Sequence, residues 1–343
     1  MPIQIDREGA RQLAPRFDEA MDMVANEFAG LDPHCQYRNA FARLLKWDPL
    51  GRVLMLGTDQ RDGFIPELRR AIADFVPSPG AVFDFGCGDG QTLALAIDAL
   101  PKGTRISCED PNPDYVARYR HLIESRRDLE IGASLVAGFD ELDAVAQRED
   151  IALPADGTIH LGLALQMLFF VADLERSVLR MARFLAPGGA LFIVLADESE
   201  GFTGHALRAF IEAGGDTGAN AAHLAAIAQR RACFGGSGDG GGTIVDCLRQ
   251  GLVDRAHRVT AARQPTRLFG HTLADIIAMS AITVLGNLPG TDKFAAVRRL
   301  IEERPEHVDL RIEDDGPRAG MLSVTQPQWV VCIERRSAAD SRP

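Results

Sequence analysis

The chain has 343 residues, of which 46% are hydrophobic and 25% are charged, and this composition is ordinary for a globular protein with a substantial core. A formal net charge of −11 disfavours a nucleic-acid partner, because a nucleic-acid-binding surface needs clustered lysine and arginine. Six scattered cysteines without C-x-x-C spacing predict reduced thiols in a cytoplasmic protein, and they disfavour both a disulfide framework and a metal site.

The first 79 residues carry a helical pattern. Apolar residues recur at helical spacing, for example at Ala20, Val24 and Phe28. The run from Pro77 to Gly80 contains two prolines and a glycine, and it marks a boundary. No basic segment followed by an apolar stretch stands at the start, so we expect no signal peptide. The pattern predicts an N-terminal helical extension that serves as a lid.

Strand-like and helix-like segments alternate from residue 80 to residue 197. The predicted strands are 81–85, 104–109, 133–137, 158–165 and 190–196, and the predicted helices between them are 90–100, 113–127, 140–147 and 173–186. Alternation of this kind is typical of βαβ units, which build a parallel sheet with helices on both faces. The sequence therefore predicts an α/β, doubly wound domain.

The alternation stops after residue 197. Residues 198–305 are alanine-rich and helix-like, apart from the glycine run 235–242, which indicates a surface loop. The apolar segment Leu273–Leu288 is too short to span a bilayer, so we expect a buried helix there and no membrane partner. Strand-like runs return at His307–Glu313 and Gln328–Glu334.

These observations divide the chain into three predicted regions. Residues 1–79 form the N-terminal extension, and residues 80–197 together with 306–336 form the sheet domain. Residues 198–305 form a helical insertion, for which a substrate cap and a homodimer interface are the two interpretations. Additions at the carboxyl edge of an open α/β sheet lie where such folds bind ligands.

The most informative stretch is Ala81–Gly90, in which an apolar run carrying Asp84 leads into glycines at 86, 88 and 90. A buried strand that turns sharply into a helix needs residues that tolerate φ > 0 and a backbone that a ligand can approach closely. The dinucleotide fingerprint G-x-G-x-x-G would need glycine at position 91, where Gln91 stands. No Gly-Lys-Ser or Gly-Lys-Thr follows, so a phosphate loop is also excluded.

The stretch Val82–Gly90 resembles the first motif of the class I S-adenosylmethionine-dependent methyltransferases, an acidic residue followed by G-x-G-x-G. The run Thr104–Asp110 is similar to the family's second strand, which ends in an acidic residue. The stretch Asp173–Val194, with its Pro187-Gly-Gly turn, is similar to the family's fourth crossover helix and fifth strand. The resemblance covers residues 80–197 with the motifs in the family's order.

The resemblance implies a seven-stranded, mostly parallel sheet with S-adenosyl-L-methionine as the cofactor. His307–Glu313 and Gln328–Glu334 would then form its closing antiparallel hairpin. The cofactor-binding residues that it implies are Asp84, Gly86, Cys87, Gly88, Gly90, Asp110, Pro111, Phe139, Asp140 and Gln166.

Individual roles within this set also follow from the resemblance. The glycines form the floor under the methionyl and ribose parts, with Cys87 as a small filler, and Asp110 accepts the ribose hydroxyls, for which Glu109 is the alternative. Phe139 and Asp140 face the adenine. A helix cap is the alternative interpretation of Asp140, and for Asp110 a helix N-cap and a ribose contact are compatible.

The segment Gln166–Phe170, after the fourth strand of the predicted sheet, departs from the family. Many relatives carry a histidine pair here, and those that methylate base amino groups carry Asn-Pro-Pro-Tyr, but this chain has neither. The departure argues against nucleic-acid amino methylation and removes the usual general base. Gln166 is expected to face the cofactor, and Met167 the substrate.

Substrate-side residues are harder to identify. Glu198 and His205 follow the fifth strand, and His205 is the best candidate for a catalytic base, although capping of the first helix of the insertion is an equally ordinary role. Tyr37 and Arg38, in the N-terminal extension, are candidates for closing over the site.

The sequence thus predicts a methyltransferase that acts on the nitrogen, oxygen or carbon of a small-molecule metabolite by in-line transfer. Two alternatives remain open. One is an enzyme that consumes S-adenosylmethionine without methylating, by cyclisation or alkyl transfer. The other is a non-catalytic protein that only binds the cofactor.

Overall fold

The computed structural model describes residues 2–47, 53–171, 173–197, 201–215, 257–282 and 291–337. The strands, numbered in chain order, are β1 (Ile3–Gln4), β2 (Lys46–Trp47), β3 (Val53–Leu54), β4 (Ala81–Phe85), β5 (Thr104–Asp110), β6 (Leu129–Val136), β7 (Ile159–Leu165), β8 (Leu185–Ala196), β9 (His257–Gln264), β10 (Arg267–Gly270), β11 (Arg311–Ile312), β12 (Leu322–Thr325) and β13 (Gln328–Arg335). The α-helices are α1 (Arg7–Phe28), α2 (Pro33–Ala42), α3 (Gln60–Phe75), α4 (Gln91–Ala94), α5 (Pro113–Glu124), α6 (Leu142–Arg148), α7 (Leu174–Arg183), α8 (Gly201–Glu212), α9 (Leu273–Met279) and α10 (Asp292–Glu303).

The chain divides into two compact units. The sheet unit contains Arg61–Leu195 together with the described residues of 236–263 and 329–343. The helical unit contains the described residues of 1–60, 196–235 and 264–328. The described parts of 1–60 and of 264–305 therefore fold in one unit.

The sheet unit is built on a seven-stranded sheet in the order β6-β5-β4-β7-β8-β13-β9. Pairs β4 with β5, β4 with β7, β5 with β6, and β7 with β8 are all parallel. The order reverses between β4 and β7, and in open α/β sheets ligands bind outside the carboxyl ends of the strands at such a reversal. The predicted doubly wound, mostly parallel sheet is confirmed.

Both faces of this sheet are covered by apolar packing. Successive strand side chains point to opposite faces, so Val82 of β4 joins a core with Leu68 of α3 and Ile123 of α5. Phe83 and Phe85 point the other way, where both rings contact Phe184. The apolar pattern of β4 is thus explained by burial on both faces.

The closing strands differ from the prediction. Gln328–Arg335 does enter the sheet as β13, but its edge partner is β9, from within the predicted helical insertion. Arg258 contacts Glu334, and Thr260 contacts Cys332. Residue numbers therefore rise along β9 as they fall along β13, as in an antiparallel pair. The predicted partner, His307–Glu313, instead contributes β11 to a second sheet.

The physical reason is the weak apolar signal of an edge strand. In β9 only Val259 is buried, so the strand lacks the alternation that identifies half-buried strands. The prediction of a wholly helical insertion was therefore wrong at β9 and at β10.

The helical unit packs α1, α2, α8, α9 and α10 around a core of its own, beside a four-stranded sheet in the order β1-β11-β12-β10. Every residue of α9 is buried, as expected for the apolar segment that begins at Leu273. Thr272 and Asp275 cap its first turn reciprocally. None of the helices among the described residues is long and apolar enough to cross a bilayer.

Candidate functional site

The glycine-rich loop at the carboxyl end of β4 turns its amide groups inward. Gly86 N–H donates to Glu109 Oε1 at 2.9 Å, and Cys87 N–H donates to the Glu109 carbonyl at 2.9 Å. Gly88 N–H donates to Asp110 Oδ2 at 3.0 Å. Three successive amides are therefore satisfied by the end of the neighbouring strand β5.

The three glycines of the loop serve different purposes, although all have positive φ, at +62°, +55° and +84° in chain order. A Cβ on Gly86 would lie 2.6 Å from Met167 Cβ, and one on Gly90 would lie 2.8 Å from Leu122 Cδ2. A Cβ on Gly88 would meet no heavy atom within 4 Å. Gly86 and Gly90 allow close packing within the protein, whereas Gly88 borders open space.

Asp84 is buried beneath this loop. Its Oδ2 accepts a hydrogen bond from the Tyr119 hydroxyl at 2.9 Å. Burial raises the pKa of Asp84 to about 7, although the Tyr119 hydrogen bond opposes the shift, and the Asp110 charge adds to it. Tyr119 lies on the inner face of α5, and helical spacing with Val116 and Ile123 was the signal that could have identified it.

Glu109 and Asp110 are neighbours in sequence but have different surroundings. The Glu109 side chain is buried, with 1% of the residue exposed, and its Oε2 has no hydrogen-bond partner. Burial raises the pKa of Glu109 to about 8, against the lowering effect of the Gly86 amide. The Asp110 carboxylate, 9% exposed, accepts from both Gly88 N–H and, at 2.8 Å, Asn112 N–H.

This difference bears on the predicted ribose contact. The N-cap of α5 is Asn112, so the predicted cap role of Asp110 is wrong: Asp110 accepts the Asn112 N–H in the turn before the helix. Asp110 also lies beside the open space at Gly88, so this hydrogen bond and a ligand contact are compatible. Glu109 uses one oxygen for Gly86, and its other oxygen is enclosed. The arrangement favours Asp110 over Glu109. Pro111 follows Asp110 and is exposed.

The Cys87 thiol is a packing group in this loop. Its sulfur donates to the Gly88 carbonyl at 3.3 Å. Burial, followed by the neighbouring Cys108, raises the pKa of the Cys87 thiol well above its ordinary value. The group therefore stays protonated, which disfavours a nucleophilic role.

Phe139 and Asp140 follow β6, where the predicted adenine contacts lie. The Phe139 ring is 5% exposed, and its centroid is 5.5 Å from that of Phe85 in an edge-to-face arrangement. The Arg180 guanidinium lies over the same ring at 4.8 Å. Asp140 is exposed on the short turn after Gly138. The ring is thus largely used for packing, and the carboxylate is accessible.

The end of β7 brings Gln166 and Met167 to the same edge of the sheet. Gln166 has φ of +59°, which is uncommon for a residue other than glycine, and its N–H donates to the Val194 carbonyl at 2.8 Å. Met167 is buried against Gly86. Phe169 and Phe170 follow in an edge-to-face pair, with 53% of Phe170 exposed. Strained backbone at such positions is a frequent feature of functional sites.

The predicted substrate-side residues lie elsewhere in the chain. Tyr37 and Arg38 belong to α2 of the helical unit, where the Tyr37 ring stacks on Phe41 at 6.0 Å. His205 lies on α8 of the same unit, with Nδ1 2.9 Å from Arg208 Nη2 and its ring 5.1 Å from that of His307. Glu198 lies outside the described residues. The roles of these four residues stay predictions.

Arg61, which is not among the predicted site residues, stands at the start of α3 in the sheet unit. Burial lowers the pKa of Arg61 to about 10, and the Asp89 charge in the glycine-rich loop partly offsets this shift. No hydrogen bond or ion pair to its guanidinium is found among the described residues. Arg61 falls within the helical pattern of the first 79 residues, outside the glycine motif, and nothing in the sequence distinguishes it from the other arginines there. Within the described ranges, no three His, Cys, Asp or Glu side chains group closely enough to hold a metal ion.

Comparison with known families gives a match at the centre of the sheet unit. Residues 83–193 match the sequence model of a family described as a methyltransferase domain. The matched range begins within β4 and ends within β8, so it contains three of the five parallel strands in full, parts of the other two, and the glycine-rich loop.

Curated relatives match over part of their length. The chain is 27% identical to the thiol S-methyltransferase TMT1A of Homo sapiens over 153 residues, which are 43% of this chain and 57% of that protein. It is 29% identical to the thiol S-methyltransferase TMT1B of Homo sapiens over 112 residues, which are 33% of this chain and 41% of that protein. The chain spans about half the length of the curated relatives it matches.

Two solved structures are similar to the chain. The YcgJ protein of Bacillus subtilis has a TM-score of 0.47 and 10% identity, covering 81% of this chain and 100% of that one. The plantazolicin methyltransferase BpumL, solved in complex with SAH, has a TM-score of 0.43 and 12% identity, covering 95% of this chain and 99% of that one.

Proposed function

We propose that this chain, whose residues 83–193 form a methyltransferase domain, transfers the methyl group of S-adenosyl-L-methionine to a small molecule. The observation that carries the proposal is the loop after β4. Its amides bind the carboxylates of β5, and it leaves open space at Gly88 beside Asp110. When bound, S-adenosylmethionine supplies an electrophilic methyl group on a positively charged sulfur.

The inward amides distinguish this loop from a phosphate-binding loop. A phosphate or dinucleotide loop directs its free N–H groups at the anion. Here the amides of Gly86, Cys87 and Gly88 are already bonded to Glu109 and Asp110, so they offer nothing to an anion. The loop is backed by carboxyl groups, and this favours a cationic nucleoside ligand.

The residues around the loop fit the parts of such a ligand. Asp110 holds the ribose hydroxyls, since a carboxylate has acceptor capacity beyond the two amides that it binds. The Gly88 segment lies under the methionyl and ribose parts, and Asp140 with Pro111 borders the adenine. The desolvated Arg61, close enough to Asp89 to sense its charge, is the group for the methionine carboxylate.

The acceptor side suggests a nucleophile that needs no strong base. The segment Gln166–Phe170, at the end of β7, has no titratable side chain. A thiol, with an ordinary pKa near 8.5, is partly ionised at neutral pH, whereas an alcohol is not. Sulfur therefore joins nitrogen, oxygen and carbon as an acceptor, and thiols are the first class to test, as the names of the curated relatives also suggest.

Product analysis tests the proposal. The full chain is incubated with S-adenosylmethionine carrying a labelled methyl group and with a panel of aliphatic and aromatic thiols, amines and phenols. We expect a labelled methyl thioether and one equivalent of S-adenosylhomocysteine. Methylthioadenosine without methylated product would indicate the non-methylating alternative, and the absence of any cofactor binding by calorimetry would refute both enzymatic functions.

Beyond the cofactor, the further assignments are part of the same proposal. His205 is the candidate base, with Tyr37, Arg38, Met167 and Glu198 as candidate substrate contacts. A homodimer, a cytoplasmic location and the lack of a nucleic-acid partner stay predictions from the sequence.

A further inference from the structure

Three carboxyl groups lie directly behind the glycine-rich loop. Asp84 precedes Gly86 by two residues in β4. Glu109 accepts the Gly86 N–H at 2.9 Å, and Asp110 accepts the Gly88 N–H at 3.0 Å. Neither Asp84 nor Glu109 forms a salt bridge within the part of the chain that the structure describes. A ligand seated on this loop therefore rests above a concentration of acidic groups.

Glu109 is the unusual member of this group. Its Oε1 accepts one amide hydrogen bond, and its Oε2 is buried with no partner. An ionised carboxylate in such a place is costly, because burial removes it from solvent and no described cation forms a salt bridge with it. The group is therefore neutral in the unliganded chain or balanced by a positive charge from outside it.

The other titratable groups around Glu109 and Asp84 do not supply that positive charge. Cys87 and Tyr119 are neutral acids whose ionisation the buried carboxyls oppose, and Asp110 adds a further negative charge. Arg61, whose pKa responds to the charge of Asp89, is not among the groups that shift the pKa of Asp84 or of Glu109. Burial sets the pKa of Asp84 at about 7 and that of Glu109 at about 8, so both exchange protons close to neutral pH.

We propose that Glu109 and Asp84 form a proton-linked counter-charge that distinguishes the cationic cofactor from its neutral product. The pair gives up a proton when S-adenosylmethionine binds, and it keeps that proton when S-adenosylhomocysteine binds. This inference rests on the proposed function, because it requires that the loop bind these two molecules. It assigns Glu109 to selection of the cofactor by charge rather than to the ribose.

The direction of the effect follows from linkage. A ligand that favours the ionised carboxyls binds more tightly as pH rises, because fewer protons have to leave on binding. S-adenosylhomocysteine has the same ribose, adenine and amino acid but lacks the positive sulfur. The ratio of the two affinities should therefore increase by about tenfold between pH 6 and pH 9, which corresponds to an average release of about one third of a proton over this range, with the largest release near its middle.

Isothermal titration calorimetry measures this release. The full chain at pH 7.5 is titrated with each ligand in phosphate, HEPES and Tris, whose ionisation enthalpies differ, and the slope of binding enthalpy against ionisation enthalpy gives the protons exchanged. We expect release of roughly half a proton or more with S-adenosylmethionine and a value near zero with S-adenosylhomocysteine. Sinefungin, which carries an amine in place of the methylated sulfur, should behave like S-adenosylmethionine.

Two variants assign the proton to the chain. Glu109→Gln keeps an oxygen for the Gly86 amide, and Asp84→Asn keeps one for the Tyr119 hydroxyl. Each should reduce the release seen with S-adenosylmethionine and flatten the pH dependence of the affinity ratio. Glu130→Gln, the same substitution at an exposed position of β6, is the matched control and should leave both unchanged.

The outcomes separate the two proposals. If neither ligand binds the wild-type chain, the proposed function is wrong. If both bind with equal proton release and a ratio that does not change with pH, the counter-charge is refuted and the function stands. If a variant does not fold, the wild-type affinity ratio across pH still decides.

Discussion

Two glycine turns in the sheet unit have similar backbones and different neighbours. Gly88, after the carboxyl end of β4, has φ of +55°, and Gly188, near the amino end of β8, has φ of +80°. A Cβ at either position would meet no heavy atom within 4 Å. The Gly88 amide, however, donates to Asp110, and the two residues before it donate to Glu109. Gly188 is instead followed by Gly189, on which a Cβ would lie 2.8 Å from the Ile159 carbonyl oxygen.

The comparison shows that the backbone of a glycine turn does not by itself make a site. At the amino end of β8, the turn allows the close approach of β7 that strand pairing needs. At the carboxyl end of β4, the same freedom leaves space beside a set of carboxyl groups contributed by β5. The neighbouring strand, rather than the turn, gives the second position its chemistry.

The largest expected effect comes from filling the space at Gly88. Gly88→Val should abolish detectable binding of S-adenosylmethionine, a loss of at least about 100-fold, because the side chain occupies the volume that the ligand needs. Gly188→Val is the matched control, since it carries similar backbone strain and also projects into open space. Its affinity should change by less than about twofold.

Calorimetric titration of both variants measures the contrast, with circular dichroism to show that each is folded. Equal losses at the two positions would mean that strain, and not occupied volume, accounts for the effect. Unchanged affinity in Gly88→Val would refute the location of the site.

Gly86 tests a different property of the same loop. Gly86→Ala places a Cβ 2.6 Å from Met167 Cβ and also requires a positive φ. We expect a loss of about 3 kcal/mol in the free energy of unfolding, from overpacking together with left-handed strain. Urea unfolding of the unliganded chain measures it. A loss no larger than that of Gly88→Ala would show that the Met167 contact relaxes without cost.

The sequence allowed the cofactor half of the sheet unit to be predicted because its signals are local. Asp84 and the glycines stand within seven residues, and Asp110 follows directly after a strand-like run. The distinct purposes of the three glycines could not be predicted, because they depend on Met167, Tyr119 and Leu122, which contact the loop only after folding.

Long-range pairing accounts for what the sequence did not reveal. Strand β9 is polar except for Val259, and its place in the sheet comes from pairing with β13, about seventy residues later. Likewise, β1 pairs with β11 across almost the whole chain, in strands of two residues each. Pairs this short and this distant have no periodicity for a pattern to detect.

The Gly88 turn differs from the Gly188 turn by the buried carboxyl group of Glu109. Burial of this group makes the free energy of unfolding depend on pH. Because its folded pKa of about 8 exceeds the ordinary value of 4.5, the folded chain holds more protons between these pH values. Its stability should therefore decrease as pH rises from about 5 to 8. Glu109→Gln should remove this loss, so the variant's free energy of unfolding relative to the wild type should be about 2 kcal/mol higher at pH 8 than at pH 5. We expect this value rather than the full shift because Asp84 and Asp110 contribute part of the shift in pKa.

Urea unfolding at the two pH values, beside Glu130→Gln, measures this contribution. An equal change in the free energy of unfolding at both pH values would indicate that Glu109 is ionised in the folded chain at pH 5 as well as at pH 8. The two turns would then not differ in the way that the pKa of Glu109 implies.

Asp110 is the second carboxyl group that binds the loop at the Gly88 turn, and substituting it tests the proposed ribose contact. Asp110→Asn keeps one oxygen but loses the charge, so we expect about a tenfold loss in affinity for S-adenosylmethionine, in line with one charged hydrogen bond. Affinity for S-adenosylhomocysteine should fall by a similar factor, because the ribose is common to both ligands. A loss confined to the charged ligand would move Asp110 from the ribose to the counter-charge.

The smallest effect is also the strictest test of the comparison. Gly88→Ala and Gly188→Ala each force a side chain into the left-handed region with no steric neighbour, so each should cost about 1–2 kcal/mol of unfolding free energy. The two costs should agree within about 0.5 kcal/mol in the unliganded chain. With saturating S-adenosylmethionine, Gly188→Ala should be stabilised as much as the wild type, and Gly88→Ala should be stabilised less, because only its methyl group competes with the ligand. Equal stabilisation of the two variants by the ligand would mean that the space beside Gly88 is not used in binding.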